Sequence, residues 1–362
     1  MNRFKKRFNL LWVLLPVLSL LVPACSTEFE VYAPDQEIRA VYCILNPQDS
    51  AQYVRIARAF QVEGDAVVFA AENDLSLQSL NVRLTSVSDP DKSWVADQVD
   101  DFPKEEGEFN PRHTVYRFNT DGMGAGRDTL IPGERYRLEV GASDADDYVT
   151  GETTIPPRPR IRGDLQVVAG AGEFRCLPRI VLDRRYNFFW QKLDENINYE
   201  VRVYLKFAAN GEEQTVVWGP TDLFNTNRRC NEGSGAVCYQ FGEKELLRYW
   251  SIFMPVNPQV RYTYNTTDSC VANLSLLDNL PESLWFEVTA VDEYLSNYMR
   301  VNDPQFLDLS GTKPEYTNLR GNIEAVGVFG SVHADLRYAI MRECSEALLG
   351  LNGRVLPQGC EW

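Results

Sequence analysis

In Tyr199-Glu200-Val201-Arg202-Val203-Tyr204-Leu205-Lys206-Phe207 the polarity changes at almost every step, which places Tyr199, Val201, Val203, Leu205 and Phe207 on one side. A period of two is the period of an extended chain and excludes a single apolar helical face. Arg135-Tyr136-Arg137-Leu138-Glu139-Val140 and Leu284-Trp285-Phe286-Glu287-Val288-Thr289-Ala290 repeat the pattern. Such segments are half-buried antiparallel strands, packed on one face and wet on the other. Asn46-Pro47, Asp89-Pro90, Pro132-Gly133, Asn210-Gly211 and Gly219-Pro220 punctuate them, and Asn210-Gly211 reads as a tight hairpin turn. Helical spacing is rare. Lys244 to Phe253 carries apolar residues at 246, 247, 250 and 253, and Ala334 to Leu349 reads equally as a helix or as a strand and loop. The expected fold is mostly β: two tandem antiparallel β-sandwiches of the immunoglobulin or fibronectin-III kind, with a few short helices.

Thr154-Ile155-Pro156-Pro157-Arg158-Pro159 marks the boundary between them, because proline neither donates to a ladder nor sits in a central strand. The expected organisation is a signal peptide (1–24), a lipidated tether (25–35), an N-terminal sandwich (36–156) and a C-terminal fibronectin-III-like sandwich (160–362). The last carries a helical insert and a C-terminal extension.

The start of the chain sets the expected compartment. Arg3, Lys5, Lys6 and Arg7 precede the apolar run Leu10 to Val22, and Leu21-Val22-Pro23-Ala24-Cys25 closes it. That order fits a bacterial lipoprotein signal, with Cys25 acylated as the first residue of the mature chain. Residues 1–24 hold four basic and no acidic residues. Their removal leaves 32 basic against 51 acidic, and moves the formal charge from −15 to −19. A chain so acidic does not suit nucleic acid or anionic lipid as a partner for a general basic surface. Seven cysteines remain beside Cys25, an odd number, so at least one is free or pairs with another chain. Cys43, inside Val41-Tyr42-Cys43-Ile44-Leu45, is the expected buried free thiol. Cys230 with Cys238 and Cys344 with Cys360 are the local pairings the sequence suggests.

Catalytic chemistry has little to draw on. The chain holds two histidines, His113 and His333, and no nucleophile elbow, zinc helix or phosphate-cradling loop. Both histidines read as structural or surface residues. A hydrolase would have to rest on two carboxylates about 5–10 Å apart in a cleft. Asp144-Ala145-Asp146-Asp147 lacks the spacing of a calcium loop and reads as a solvated turn. Asp121-Gly122-Met123-Gly124-Ala125-Gly126 reads as a loop between strands. No metal or cofactor is expected. Tyr249, Trp250, Phe253, Tyr262 and Tyr264 fall close together in sequence, either as core or as an exposed surface for a partner or a glycan. Asp49-Ser50-Ala51 and Asp128-Thr129-Leu130 match a short O-glycosylation tripeptide, which makes Ser50 and Thr129 candidate acceptors. Asn265-Thr266-Thr267 matches an N-glycan sequon, which carries no information in a bacterial chain.

Four segments resemble a family of Bacteroidetes outer-membrane lipoproteins that share the domain of unknown function 4249. Ala40-Val41-Tyr42-Cys43-Ile44-Leu45-Asn46-Pro47 with Tyr53-Val54-Arg55-Ile56 is similar to the family's opening strand pair. Gly133-Glu134-Arg135-Tyr136-Arg137-Leu138-Glu139-Val140 and Thr154-Ile155-Pro156 resemble the end of its first domain. Phe188-Phe189-Trp190 leading into Tyr199-Glu200-Val201 resembles the start of a fibronectin-type sandwich. Pro314-Glu315-Tyr316-Thr317-Asn318-Leu319-Arg320-Gly321-Asn322 through Gly327-Val328-Phe329-Gly330 resembles the family's asparagine, glycine-rich and Gly-x-Phe-Gly pattern. Glu324-Ala325-Val326 replaces a more glycine-rich stretch, and the cysteines are more numerous than the family suggests. The resemblance implies a role beside a TonB-dependent outer-membrane receptor. Three functions are therefore expectations: a non-enzymatic accessory protein anchored by lipid in the outer membrane, a surface glycan-binding or adhesion module, and a carboxylate-based hydrolase.

Overall fold

Alternating burial builds most of the longer strands. In the computed structural model, residues 38–59, 66–103, 112–122, 128–141, 147–164, 168–169, 175–180, 185–192, 194, 196–219, 236–255, 259–264, 270–271, 283–302, 316–355 and 358 are described. The longer strands are β1 (Ile38–Leu45), β2 (Ala51–Arg58), β3 (Asn81–Ser86), β4 (Ser93–Val95), β5 (Asp97–Pro103), β6 (Arg112–Asn119), β7 (Arg135–Gly141) and β8 (Tyr148–Thr154). They continue as β9 (Arg185–Gln191), β10 (Asn198–Ala209), β11 (Glu212–Trp218), β12 (Ala236–Gly242), β13 (Leu284–Val291) and β14 (Glu324–Met341). The helices are α1 (Ala66–Glu72), α2 (Glu243–Phe253), α3 (Glu293–Asn302) and α4 (Glu343–Leu348).

One sheet crosses the whole molecule in the order β11-β10-β13-β14-β1-β2-β6-β5. Its axis is β14, 18 residues long. The first half of β14 pairs parallel with β1, from Ile38 opposite Glu324 to Leu45 opposite Ser331. The second half pairs antiparallel with β13, from Val332 opposite Val291 to Ala339 opposite Leu284. A second sheet runs Arg320–Gly321, β8, β7, β3, β4. It closes over β1, β2 and β6 around Val41, Leu45, Val54, Ile56, Val82, Leu84, Tyr136, Leu138, Leu319 and Phe329. The other core lies under β10, β13 and the end of β14. There Val201, Val203, Leu205, Phe286 and Val288 meet Tyr186 and Trp190 of β9 and Leu246, Leu247 and Trp250 of α2. Asn210 and Gly211, with φ of 54° and 93°, make the hairpin turn between β10 and β11.

Both sandwiches form, but their boundaries differ from the sequence reading. Residues 36–156 do not complete the first one. Leu319 and Phe329 lie in its core, Arg320–Gly321 extend its second sheet along β8, and the first half of β14 extends its main sheet. The reason is the length of β14, which outruns the second sandwich and lends its first half to the first. The proline connector is likewise no loose hinge, since Ile155, Pro156 and Pro159 are buried. At the C-terminus, 334–349 resolves into strand to Met341 and then α4.

Two glycines allow β14 to sit where it does. Gly327 has φ +105°, and a Cβ there would stand 2.2 Å from the Val41 carbonyl oxygen of the neighbouring strand. At Gly330 an added Cβ would stand 2.6 Å from Cβ of Leu295 on α3, which packs across this part of β14. Phe329 between them is fully buried, a burial that contributes about 1.5–3 kcal/mol. We expect Gly330→Ala to destabilise the full chain by about 1–3 kcal/mol, because α3 must move away. Gly327→Ala should cost about 3 kcal/mol or more, because backbone strain adds to the clash. Urea midpoints of the two variants check the order, and a Gly327→Ala protein as stable as the parent would contradict it.

Candidate interaction surface

The aromatic residues grouped by sequence are mostly interior. Trp250 is 1%, Tyr264 4% and Tyr262 8% exposed, and Tyr249 packs half-buried against the same core. The Tyr249 hydroxyl donates to the Val217 carbonyl at 2.9 Å, and the Tyr262 hydroxyl to the Pro255 carbonyl at 3.2 Å. The Tyr264 hydroxyl accepts from the Met341 amide at 3.3 Å. Phe253 is exposed, beside Ile252. Of the two readings the sequence leaves open, core holds for Trp250, Tyr262 and Tyr264, and the five do not form one exposed surface. Residues 246, 250 and 254 are successive positions on one helical face, the face α2 turns inward.

Other sequence candidates lie apart. Cys25, Cys230 and Cys360, like Asp144 and Asn265, fall outside the described residues. Cys238 sits in β12 opposite Phe189. Cys344, at the start of α4, is disulfide-bonded. Cys43 is a buried free thiol, as expected, and burial pushes its pKa well above the usual thiol range. Ser50 is exposed in the β1–β2 turn. Thr129 is half-buried, its carbonyl accepting from Lys92 Nζ at 2.6 Å.

A different surface emerges on the outer face of the main sheet. Tyr42, Ile44 and Tyr53 are 38%, 45% and 40% exposed. The β1–β2 register, with Cys43 opposite Val54, sets Ile44 against Tyr53 and Tyr42 against Arg55. The row continues at both ends through ring contacts. Tyr298 of α3 meets Tyr42 edge-on, with centroids 6.1 Å apart. Tyr53 meets Phe102 of β5 at 4.9 Å, and Phe102 meets His113 of β6 at 5.7 Å. Burial and a hydrogen bond with Tyr42 raise the pKa of the Tyr298 phenol. Aromatic side chains held on a sheet lose little entropy when a partner covers them. In sequence, Tyr42 and Tyr53 read only as parts of strands. Their signal is an apolar residue on both phases of the alternation, Val41 and Cys43 inward against Tyr42 and Ile44 outward.

The buried acids, by contrast, are engaged in ion pairs and caps, and two of them, Asp335 and Asp292, tie the two sandwiches together. Asp335 on β14 is 1% exposed and takes Arg158 at 2.6 Å, Arg337 at 2.9 Å and the Ile161 amide at 2.7 Å. It thereby ties the proline connector to the shared strand. His333 faces the Pro156 carbonyl at 3.1 Å, and burial holds its pKa below the usual value. Glu346 meets Arg354 at 2.5 Å and Glu200 meets Arg202 at 2.6 Å. Asp292 caps α3 through the Leu295 amide at 2.9 Å and accepts from the Thr153 hydroxyl. Thr153 also contacts the Ser331 hydroxyl at 3.0 Å. One carboxylate thus joins β8, β14 and α3.

A family model described as "Domain of unknown function (DUF4249)" matches residues 26–336. The chain belongs to this family. No curated protein matches it. Among solved structures, the FN1–FN3 domains of chicken CNTN1 are similar at 10% identity, over 86% of this chain and 68% of that one, with a TM-score of 0.17.

In this DUF4249 chain the Asn318 and Gly-x-Phe-Gly segment is a structural clamp. The Asn318 amide donates to the Phe329 carbonyl at 2.7 Å and to the Glu152 carbonyl at 3.1 Å, and its oxygen accepts from the Phe329 amide at 3.0 Å. A side chain here replaces a missing strand, satisfying backbone groups on β8 and β14 together. Asn322 accepts from the Tyr148 amide at 2.8 Å at the other end of β8.

Asp292 gives a pH test of this junction. Burial raises its pKa to about 6, against the opposing hydrogen bonds from Thr153 and the Leu295 amide. Unfolded, it titrates near 4, so between about pH 4 and pH 6 the folded state binds more protons than the unfolded one. Its contribution to stability is therefore fully present below pH 4 and is lost as pH rises to about 6. The difference amounts to up to about 3 kcal/mol. Asp292→Asn keeps a good cap but cannot ionise. Its stability relative to the parent should rise across that window, read from urea midpoints at each pH. A constant difference from pH 4 to 7 would contradict the assignment.

Proposed function

We propose that this chain is a non-catalytic protein, anchored by lipid at Cys25 in the outer membrane, that holds another envelope protein against the outer face of β1 and β2. The observation that carries this reading is the row Tyr298, Tyr42, Ile44, Tyr53 and Phe102, apolar, framed by sheet and helix, and accessible. Its place in the chain supports the same reading. Only residues 26–37 separate Cys25 from β1, and a fully extended chain of that length spans about 45 Å. A surface on the first strand is within that reach of the bilayer. The occupant that fits best is a membrane-embedded β-barrel, with a TonB-dependent receptor as the specific candidate. Among the described residues, the buried carboxylates Glu200, Asp292, Asp335 and Glu346 are bound to arginines, caps and amides, which favours contact over hydrolysis. Burial of Trp250, Tyr262 and Tyr264 takes away the surface on which the glycan reading rested.

Pull-down of the full chain from solubilised outer membranes tests this. A β-barrel receptor should be recovered with the parent chain, and the yield should fall about tenfold or more in Tyr42→Ser/Tyr53→Ser. Phe253→Ser, on the far core's helix, should leave recovery unchanged. No β-barrel with the parent chain would sink the proposal. Cys25→Ser should release the chain from membranes, and continued retention would contradict the anchor.

A further inference from the structure

The strand pairing assigns a covalent link that sequence spacing does not suggest. We propose that Cys176 and Cys270 form a disulfide across a short three-stranded ribbon at the start of the second sandwich. In that ribbon Val168–Ala169 pairs with Arg175–Cys176, and Arg175–Cys176 pairs with Cys270–Val271. The register places Cys176 directly opposite Cys270, with Arg175 opposite Val271. Directly opposed residues of an antiparallel pair have Cα atoms about 4.5 or 5.5 Å apart, depending on whether the pair is hydrogen-bonded. Both separations lie inside the window of about 4.4–6.8 Å that a disulfide requires. Two residues 94 positions apart in sequence thus meet as direct neighbours.

The cysteine count points the same way. Of the seven cysteines beside Cys25, Cys43 is free and buried within the first core. Six remain, an even number. Cys344 is already disulfide-bonded. Joining Cys176 to Cys270 leaves an even set, Cys230, Cys238, Cys344 and Cys360. An odd count needs at least one unpaired cysteine, and Cys43 supplies it.

Bond formation removes one proton and one electron from each thiol. Both electrons pass to the disulfide of a thiol oxidoreductase, which leaves as its dithiol after a mixed-disulfide intermediate. Such a bridge persists in an oxidising compartment outside the cytoplasm. It would fasten the chain just after the proline connector to the segment that precedes β13 in sequence.

Peptide mapping tests the bond. The full chain is isolated without reductant, denatured with N-ethylmaleimide and digested with trypsin. Cleavage at basic residues places Cys176 in 176–179 and Cys270 in 262–300, and neither peptide holds another cysteine. The expected result is a linked 176–179/262–300 species that separates on reduction, with Cys43 as the cysteine that the maleimide labels. Maleimide on Cys176 or Cys270, or either one linked elsewhere, would overturn the assignment. In Cys176→Ser, Cys270 should become newly labelled while Cys344 stays bridged, and the melting temperature should fall by about 5–10 °C. The double variant Cys176→Ser/Cys270→Ser should melt with the single one. A further large drop in the double variant would show that the two sulfurs act separately.

Discussion

The parallel pairing of β1 with the first half of β14 is the constraint on which the other features depend. It joins the start of the folded chain to its far end, and the same strand then continues as the partner of β13. Each core therefore borrows from the other's chain segment. Phe329 fills the first core, while a few residues later Ala339 and Met341 line the second. A bend or break in β14 would open both.

Close approach on this strand limits its residue types. Gly327 lies against the Val41 carbonyl and Gly330 against Leu295, so the strand is flanked by backbone on one side and a helix on the other. The polar groups follow the same line. Ser331, His333 and Asp335 alternate along β14 and meet Thr153, Pro156, Arg158 and Ile161 in turn. What reads in sequence as a boundary between domains is a strap fixed to the strand beside it. Such buried polar contacts add direction to the packing, because their partners fit in one register.

Much of this was legible in the residues. Period-two alternation gave the strands of both sandwiches, Asn210-Gly211 gave a hairpin, and the spacing of Leu246, Leu247 and Trp250 gave α2. Cys43 was legible as a buried thiol because it lies inside the continuous apolar run Val41 to Leu45. Three things were hidden. The parallel partner of β1 lies 286 residues away, and no local pattern encodes so distant a neighbour. The aromatic segment around Trp250 reads alike whether buried or exposed, and only packing on β10 and β13 decides. Tyr42 and Tyr53 look like core residues by type, yet the register turns them outward.

The pairing of β1 with β14 also carries a schedule. During synthesis at about 5–20 residues per second, β14 emerges about 15–60 s after β1. For all that time one edge of β1 has no final partner, and the core around Val41, Cys43 and Leu45 lacks Leu319 and Phe329. A strand waiting that long with its edge open is prone to pair with the wrong chain. A fold closed by a strand made so late therefore leaves its first strand open for most of its own synthesis.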